Sequence, residues 1–328
     1  MKKILFRTHG DRKTGLGHLM RCISLAHAFC ETGPVAIIFL VNREAVPFVQ
    51  QARFLTKTAE SFGKEDMFQI FLKKPDLILV DSYTTDDTYL EETGKIAKTA
   101  IFDDNNDIYR HPDVDAVING NIHAKSLRYS VPANRRTLFF TGPEYLVMKP
   151  EYWDKQEYTG KREGILMTTG GSDPCNVMPN LVKTLSALKI KKRVVIGPMY
   201  SRSQRDDIRR NADDTVEILS KPGSLKSPIG QSVLVITASG STVYEVLTMK
   251  RRPLIFQVGE DQRLLAAELE RLGVQSIGSY PDISWDALPA IVEKMLSKCP
   301  AITGLWNLFD GQGARRTARG LMELIGND

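Results

Sequence analysis

Lys3-Ile4-Leu5-Phe6, followed by Thr14-Gly15-Leu16-Gly17-His18-Leu19-Met20-Arg21 and on to Glu31, is the stretch that decides the fold. The first four residues read as a strand, the glycines as a loop, and residues from about His18 to Glu31 as a helix. Glycines there let the backbone approach a ligand, and the helix N-terminus favours an anion. The loop is not a GxGxxG dinucleotide fingerprint, because Met20 holds the third glycine position, and it is not a P-loop, because no GK[ST] follows. What sets it apart is a histidine at the helix start. The positive end of the helix dipole favours a neutral imidazole, available as a base. Read from position alone, His18 as a base and His18 as a capping or structural side chain stand level.

Outward from this stretch the pattern repeats. Val35 to Leu40 is an unbroken apolar, β-branched run, as expected of a strand buried on both faces. Leu77-Ile78-Leu79-Val80 is another, ending at Asp81-Ser82-Tyr83, and Thr99-Ala100-Ile101-Phe102 a third, ending at Asp103-Asp104. Val114 to Asn119 and Thr137 to Phe140 complete the set, with helical segments between most of them. Residues 150–163 are polar and unpatterned and read as a linker. The alternation then restarts: strands at Gly164–Thr168, Val194–Gly197, Val216–Leu219, Val233–Ile236 and Pro253–Phe256, with helices over 176–188, 241–249, 261–272, 285–297 and 312–325. Two doubly wound α/β domains of Rossmann-like type follow, 1–155 and 156–328, the last helix packing back toward domain one. Such a tandem is expected to bind ligand in an interdomain cleft, at the carboxyl ends of both sheets.

Composition agrees with a globular enzyme and excludes several classes. Of 328 residues, 42% are hydrophobic and 25% charged, which rules out disordered, collagen-like and coiled-coil chains. Forty-four Lys plus Arg against 39 Asp plus Glu leave a net charge of +5, a mild excess that suits an anionic small ligand better than nucleic acid. The longest apolar run, Pro34 to Val41, is far short of the roughly 20 residues of a membrane span. Met1-Lys2-Lys3 leads into too few apolar residues for a secretory signal, so a cytoplasmic location is expected. Cys22, Cys30, Cys175 and Cys299 form no CxxC and read as reduced, buried thiols. His9, His18, His27, His111 and His123 show no HxxxH or HExxH spacing, so no zinc site is expected. The basic segment Lys189 to Arg210 reads as a solvated helix face rather than a nucleic-acid or lipid patch, because Asp206 and Asp207 interrupt it.

Four further places carry chemistry-bearing side chains. Thr237-Ala238-Ser239-Gly240-Ser241-Thr242-Val243-Tyr244-Glu245 follows a strand and opens a helix. Its small and hydroxyl residues supply donors for phosphate oxygens, and Glu245, on the first turn, could accept from ribose hydroxyls. An ordinary N-cap explains one serine but not five such residues in a row. Gly170-Gly171-Ser172, after Thr168-Thr169, permits positive φ and close ligand contact, although alone it reads equally as a plain turn. Asp261-Gln262, after Gly259-Glu260, could meet the sugar of a nucleotide sugar. The Asp81 and Asp103-Asp104 strand ends invite Mg²⁺ bridging to a diphosphate. The plainer reading, carboxylates meeting backbone N–H groups, is preferred there.

These loops, in this order, resemble the PseG/SpsG family, the UDP-sugar hydrolases of pseudaminic acid biosynthesis and their spore-coat relatives. That family is in turn similar to MurG-type glycosyltransferases of the GT-B fold. The resemblance runs through Phe6-Arg7, Gly15-Leu16-Gly17-His18 with Arg21-Cys22, Asp81-Ser82-Tyr83, Phe102-Asp103-Asp104, Ile118-Asn119-Gly120-Asn121 and Gly142-Pro143-Glu144-Tyr145. In the second half it includes Gly170-Gly171-Ser172-Asp173-Pro174, Gly240 to Glu245, Gln262, and Asp310-Gly311-Gln312-Gly313-Ala314. It implies hydrolysis of UDP-2,4-diacetamido-2,4,6-trideoxy-β-L-altropyranose to UDP and free sugar, with His18 as catalytic base and Tyr83 near the sugar. It also implies nucleotide contacts from Gly170–Ser172 and Ser239–Glu245, a polar contact from Gln262, and no redox cofactor. Gly15, Gly17 and Arg21 join the substrate-binding set from the first loop, and Asp261 from the last. Two positions depart from the family pattern: His9 stands where an aspartate is usual, and Asp261 where an asparagine is usual. A UDP-sugar glycosyltransferase and a non-catalytic nucleotide-sugar binder are the competing readings, since fold alone does not choose among them.

Overall fold

The structure, a computed structural model, describes residues 1–12, 14–108, 114–130, 136–154, 158–220, 222–297 and 302–326. The chain divides into two compact units, Met1–Trp153 together with Gly311–Asp328, and Asp154–Asp310.

The first unit holds a seven-stranded sheet: β1 (Lys2–Thr8), β2 (Val35–Val41), β3 (Leu55–Thr58), β4 (Leu77–Asp81), β5 (Lys98–Phe102), β6 (Ala116–Asn119) and β7 (Leu138–Thr141). Every adjacent pair is parallel, in the order β3-β2-β1-β4-β5-β6-β7. The apolar runs become central strands because helices cover both faces. Alternate β1 residues serve opposite sides. Phe6 stacks on Phe39 at 4.8 Å and meets Phe29 of the Gly17–Glu31 helix edge-on, while Leu5 joins Leu40, Ile78, Val80 and Ile101 on the other face. The helix buries Leu19, Cys22, Ala26 and Phe29, one stripe at three- and four-residue spacing. Full burial of a leucine or phenylalanine such as Leu19 or Phe29 stabilises by about 1.5–3 kcal/mol.

The second unit repeats the plan with β8 (Ile165–Thr168), β9 (Lys192–Ile196), β10 (Val216–Ser220), β11 (Leu234–Ala238), β12 (Arg252–Gln257) and β13 (Gln275–Ser279). All are parallel, in the order β10-β9-β8-β11-β12-β13. In each sheet the chain starts in the middle, walks to one edge, then returns to continue on the other side. The reversal lies between β1 and β4 in one unit and between β8 and β11 in the other. Strand ends diverge at such a switch point and leave a crevice at the carboxyl edge.

The structure departs from the sequence reading in several places. β3 and β13 were not expected; both are edge strands of mixed polarity, LTKT and QSIGS, with too few buried positions to give a pattern. Within the expected linker, Tyr152 and Trp153 are buried in the first unit, Trp153 donating to the Met148 carbonyl. Their apolar rings outweigh the polar residues around them. The Gly313–Gly326 helix belongs to the first unit, where Arg315 makes a two-pronged ion pair with Glu31 at 2.6 and 3.0 Å. The basic segment is not one solvated face. The Arg202–Asn211 helix pairs Arg209 with Asp206 and Arg210 with Asp207. Lys192 and Arg193, however, lie on buried β9, Lys192 donating to the Leu188 carbonyl at 2.7 Å. Cys22 is buried but Cys30 is exposed and Cys175 half-buried, all three with free thiols. Cys299 and His111 lie outside the described residues. Among the described residues no helix is long and apolar enough to cross a membrane.

Candidate functional site

The first cluster forms at the β1/β4 switch point. Parallel pairing sets Thr8, the last residue of β1, level with Asp81, the last of β4. Beyond β1 the chain turns through a bridge in which Asp11 and Gly15 exchange backbone hydrogen bonds, then enters the helix at Gly17. His18 is therefore the second residue of the helix, and Arg21 lies one turn further on, on the same side. Both reach Asp81, which is fully buried. His18 Nδ1 lies 2.6 Å from Asp81 Oδ1, and Arg21 donates from Nε to Oδ2 and from Nη2 to Oδ1, each at 2.6 Å. Arg21 Nη1 donates to Asp104 Oδ2 at 2.7 Å, just beyond the end of β5. The same Asp104 oxygen accepts from the Tyr83 hydroxyl at 3.0 Å, and its other oxygen from Asn121 Nδ2 at 2.7 Å. Tyr83 packs edge-on to the His18 ring, centroids 4.5 Å apart.

Charge decides what this cluster can do. Burial alone would push the Asp81 pKa up, but the Arg21 and His18 partners more than reverse this and hold the carboxyl well below the usual range. Asp81 is thus ionised and can only accept hydrogen bonds. The nitrogen that faces it, His18 Nδ1, must then carry a hydrogen, so a neutral imidazole here has its lone pair on Nε2. The 3.1 Å approach of Arg21 Nη2 to His18 Nδ1 follows from two donors converging on one oxygen. Burial disfavours a charge on Arg21, yet Asp104 and Asp81 keep it a guanidinium. Burial and Asp81 push the Cys22 thiol up, so it stays protonated and donates to Asp81 at 3.4 Å.

The second cluster forms at the β8/β11 switch point. Gly170 follows β8 with φ +91°, a conformation that favours glycine, and its N–H donates to the Thr168 hydroxyl. The loop lies so close over the end of β9 that a Cβ on Gly197 would sit 2.5 Å from the carbonyl oxygens of Gly170 and Gly171. Ser172 is half-buried, its carbonyl accepting from Thr169. Asp173 is buried and caps the Val177–Thr184 helix through the N–H groups of Val177 and Met178, at 2.9 and 2.8 Å. After β11, Gly240 precedes the Ser241–Thr248 helix with no side-chain cap. Ser241 is exposed and Thr242 half-buried at the helix mouth, where first-turn N–H groups lack partners within the helix.

Two residues of this loop sit otherwise than their sequence position suggests. Ser239 is buried and turns both its amide and its hydroxyl to the Phe256 carbonyl, at 2.8 and 3.0 Å, tying the loop to β12. Glu245 lies on the second turn rather than the first, and is buried; the helix starts at Ser241, so four residues later is one full turn along. After β12, Gln262 accepts from the Val258 N–H at 3.1 Å while Asp261 is exposed.

The residues that sequence reasoning undervalued are Asp81, Asp104 and Asn121. The strand-end acids read most simply as partners of backbone N–H groups. Instead, Asp81 and Asp104 bond side chains and share one guanidinium, with Asn121 on Asp104 as well. The available signal was a polar residue ending a fully apolar strand that pairs beside the glycine loop, which the strand order makes visible and the linear chain does not.

No family model matches the chain. An uncharacterized protein of Methanocaldococcus jannaschii is 26% identical over 290 residues, which make up 80% of this chain but 57% of that relative, so the chain spans little more than half its length. The UDP-2,4-diacetamido-2,4,6-trideoxy-beta-L-altropyranose hydrolase of Campylobacter jejuni is 22% identical over 256 residues, 76% of this chain and 89% of that one. Among solved structures, MurG of Acinetobacter baumannii superposes over 100% of both chains with a TM-score of 0.60 at 12% identity. Arabidopsis thaliana UGT89C1 complexed with UDP-L-rhamnose does so over 98% of both chains with a TM-score of 0.69 at 10% identity. With its two parallel α/β units, the chain has the GT-B fold.

Proposed function

We propose that this protein hydrolyses a UDP-activated diacetamido-trideoxyhexose to UDP and the free sugar, with His18 as general base. The observation that carries the reading is the His18–Asp81 pair at 2.6 Å. A buried, ionised carboxylate fixes one imidazole tautomer and leaves Nε2 free to take a proton from water. The relative from Campylobacter jejuni supports the substrate class.

In this mechanism water attacks the anomeric carbon as its proton passes to His18 Nε2. The bond from that carbon to the diphosphate oxygen breaks with its electron pair, and UDP departs. Asp81 stabilises the imidazolium that forms, and Arg21, held between Asp81 and Asp104, keeps Asp81 in place. Tyr83, bonded to Asp104 and packed on the His18 ring, borders the sugar. UDP binds the second unit, where Gly171 and Ser172 and the open first turn at Ser241 and Thr242 offer donors to its phosphates, while Gly170 and Gly240, whose N–H groups bond Thr168 and Ala238, leave room for the ligand to approach the backbone. Such preorganised donors take up charge as the leaving group forms. Ser239 acts through the loop it anchors, Glu245 and Gln262 shape the nucleotide and sugar pocket, and Asp261 contacts the sugar.

The test is UDP release from a panel of diacetamido-trideoxy UDP-sugars with no acceptor present. Wild-type protein is expected to turn over at least one, and His18→Ala to lose about 10²–10⁴-fold. Near-wild-type turnover by His18→Ala would overturn the base assignment. Release that begins only when an acceptor alcohol is added would instead assign a glycosyltransferase.

A further inference from the structure

A second imidazole stands at the first cluster, outside the mechanism just described. His9 is the first residue beyond β1, on the carboxyl edge that carries His18 and Asp81. Its ring centroid lies 5.7 Å from that of His18 and 6.1 Å from that of Phe62, the latter edge-on. Its Nδ1 is buried with no hydrogen-bond partner among the described residues, whereas its Nε2 is not enclosed in that way.

The tautomer follows from this asymmetry. A neutral imidazole carries one N–H and one lone pair. An orphaned N–H is the harder of the two to bury, because a donor without an acceptor is rarely tolerated, whereas an unfilled lone pair is tolerated more often. The buried Nδ1 therefore keeps the lone pair and Nε2 carries the hydrogen. The ring also stays uncharged. Burial is the largest influence and lowers its pKa, with His18 and Arg7 acting the same way, and Asp11 and Asp81 oppose them without prevailing. The edge thus presents two imidazoles of opposite function. His18 offers a lone pair because Asp81 holds its proton on Nδ1, and His9 offers an N–H at Nε2 because a hydrogen on its buried Nδ1 would face no acceptor.

We propose that His9 is a specificity-determining residue that donates its Nε2–H to an oxygen of the sugar, a hydroxyl or an amide carbonyl, next to the carbon attacked by the water of His18. The inference rests on the function proposed above and names a contact that selects among sugars. A donor that stays neutral suits a neutral oxygen, and it leaves the base at His18 uncompeted for protons.

Two measurements test it. Long-range ¹H–¹⁵N correlation spectra of the full chain report the state of His9 without any turnover. They are expected to show the neutral Nε2–H form at pH 7, and a cationic ring or an Nδ1–H form would overturn the proposal. Calorimetry with a UDP-sugar that the wild type binds, and with UDP alone, supplies the second arm. His9→Phe keeps a flat ring without the N–H and is expected to weaken UDP-sugar binding about tenfold with UDP affinity unchanged. His9→Gln, which restores a donor near the Nε2 position, is expected to recover most of the loss. Equal UDP-sugar affinity in wild type and His9→Phe, or no recovery in His9→Gln, would overturn the proposal while leaving His18 hydrolysis standing. Wild-type protein that binds UDP but no UDP-sugar would instead overturn the proposed function, and this contact with it.

Discussion

Replacing Asp81 with asparagine is the most informative single change. The carboxylate accepts three hydrogen bonds of 2.6 Å, one from His18 and two from Arg21. Asparagine is nearly the same size but brings one oxygen and one NH₂. If the oxygen faces Arg21 Nε, the amide points at His18 Nδ1, which must then accept, and the imidazole hydrogen moves to Nε2. The base is silenced. If the oxygen faces His18, the NH₂ opposes Arg21 Nε, donor against donor. Either arrangement disrupts the site, so UDP release is expected to fall about 10²–10⁴-fold, or about 3–5.5 kcal/mol of transition-state stabilisation. Stability also falls, because Arg21 loses its one fully buried partner; removing one member of a buried pair costs up to about 3–5 kcal/mol, lessened here by the remaining bond to the half-buried Asp104. The assay is steady-state UDP release at saturating substrate, with circular dichroism to confirm folding and imidazole ¹⁵N shifts to report the His18 tautomer. A folded Asp81→Asn protein that retains turnover within about threefold of wild type would refute the dyad argument.

Other outcomes follow from the same geometry. Gly197→Ala places a methyl against the Gly170 and Gly171 carbonyls, so the loop must move; UDP affinity by calorimetry is expected to drop about tenfold or more, while the His18 tautomer stays unchanged. Tyr83→Phe removes one hydrogen bond to Asp104 and keeps the ring on His18, so kcat/KM is expected to fall about 3–10-fold, far less than for His18→Ala. Asp173→Ala strips the cap from the Val177–Thr184 helix and is expected to cost about 1–2 kcal/mol in denaturant unfolding. For pH, the Asp81 carboxyl titrates lower in the folded chain than in the unfolded one. Its stabilising contribution is therefore fully present above the unfolded value, near pH 3.9, and is lost as pH falls below it. Urea midpoints measured downward from about pH 5 are expected to decline less steeply in Asp81→Asn than in wild type.

The sequence determined the architecture because the fold is written in local terms. Central parallel strands need uninterrupted apolar runs such as Leu77–Val80, the helices between them need a one-sided stripe such as Leu19, Cys22, Ala26 and Phe29, and glycine loops mark the turns. Edge strands β3 and β13 escaped because a strand covered on one side carries little pattern. His18 was legible as a candidate, since a histidine at the mouth of a glycine loop is a local feature. Its partner was not. Asp81 and His18 are 63 residues apart, and only the β1/β4 pairing brings their strand ends level, so the choice between a structural carboxylate and half of a dyad belonged to the tertiary structure. The same holds for Asp104, whose tie to Arg21 spans 83 residues, and for Ser239, whose hydroxyl the adjacent strand turns inward. Local sequence fixes which elements form; which polar groups meet at their ends depends on strand order, and strand order is set by burying every apolar face at once.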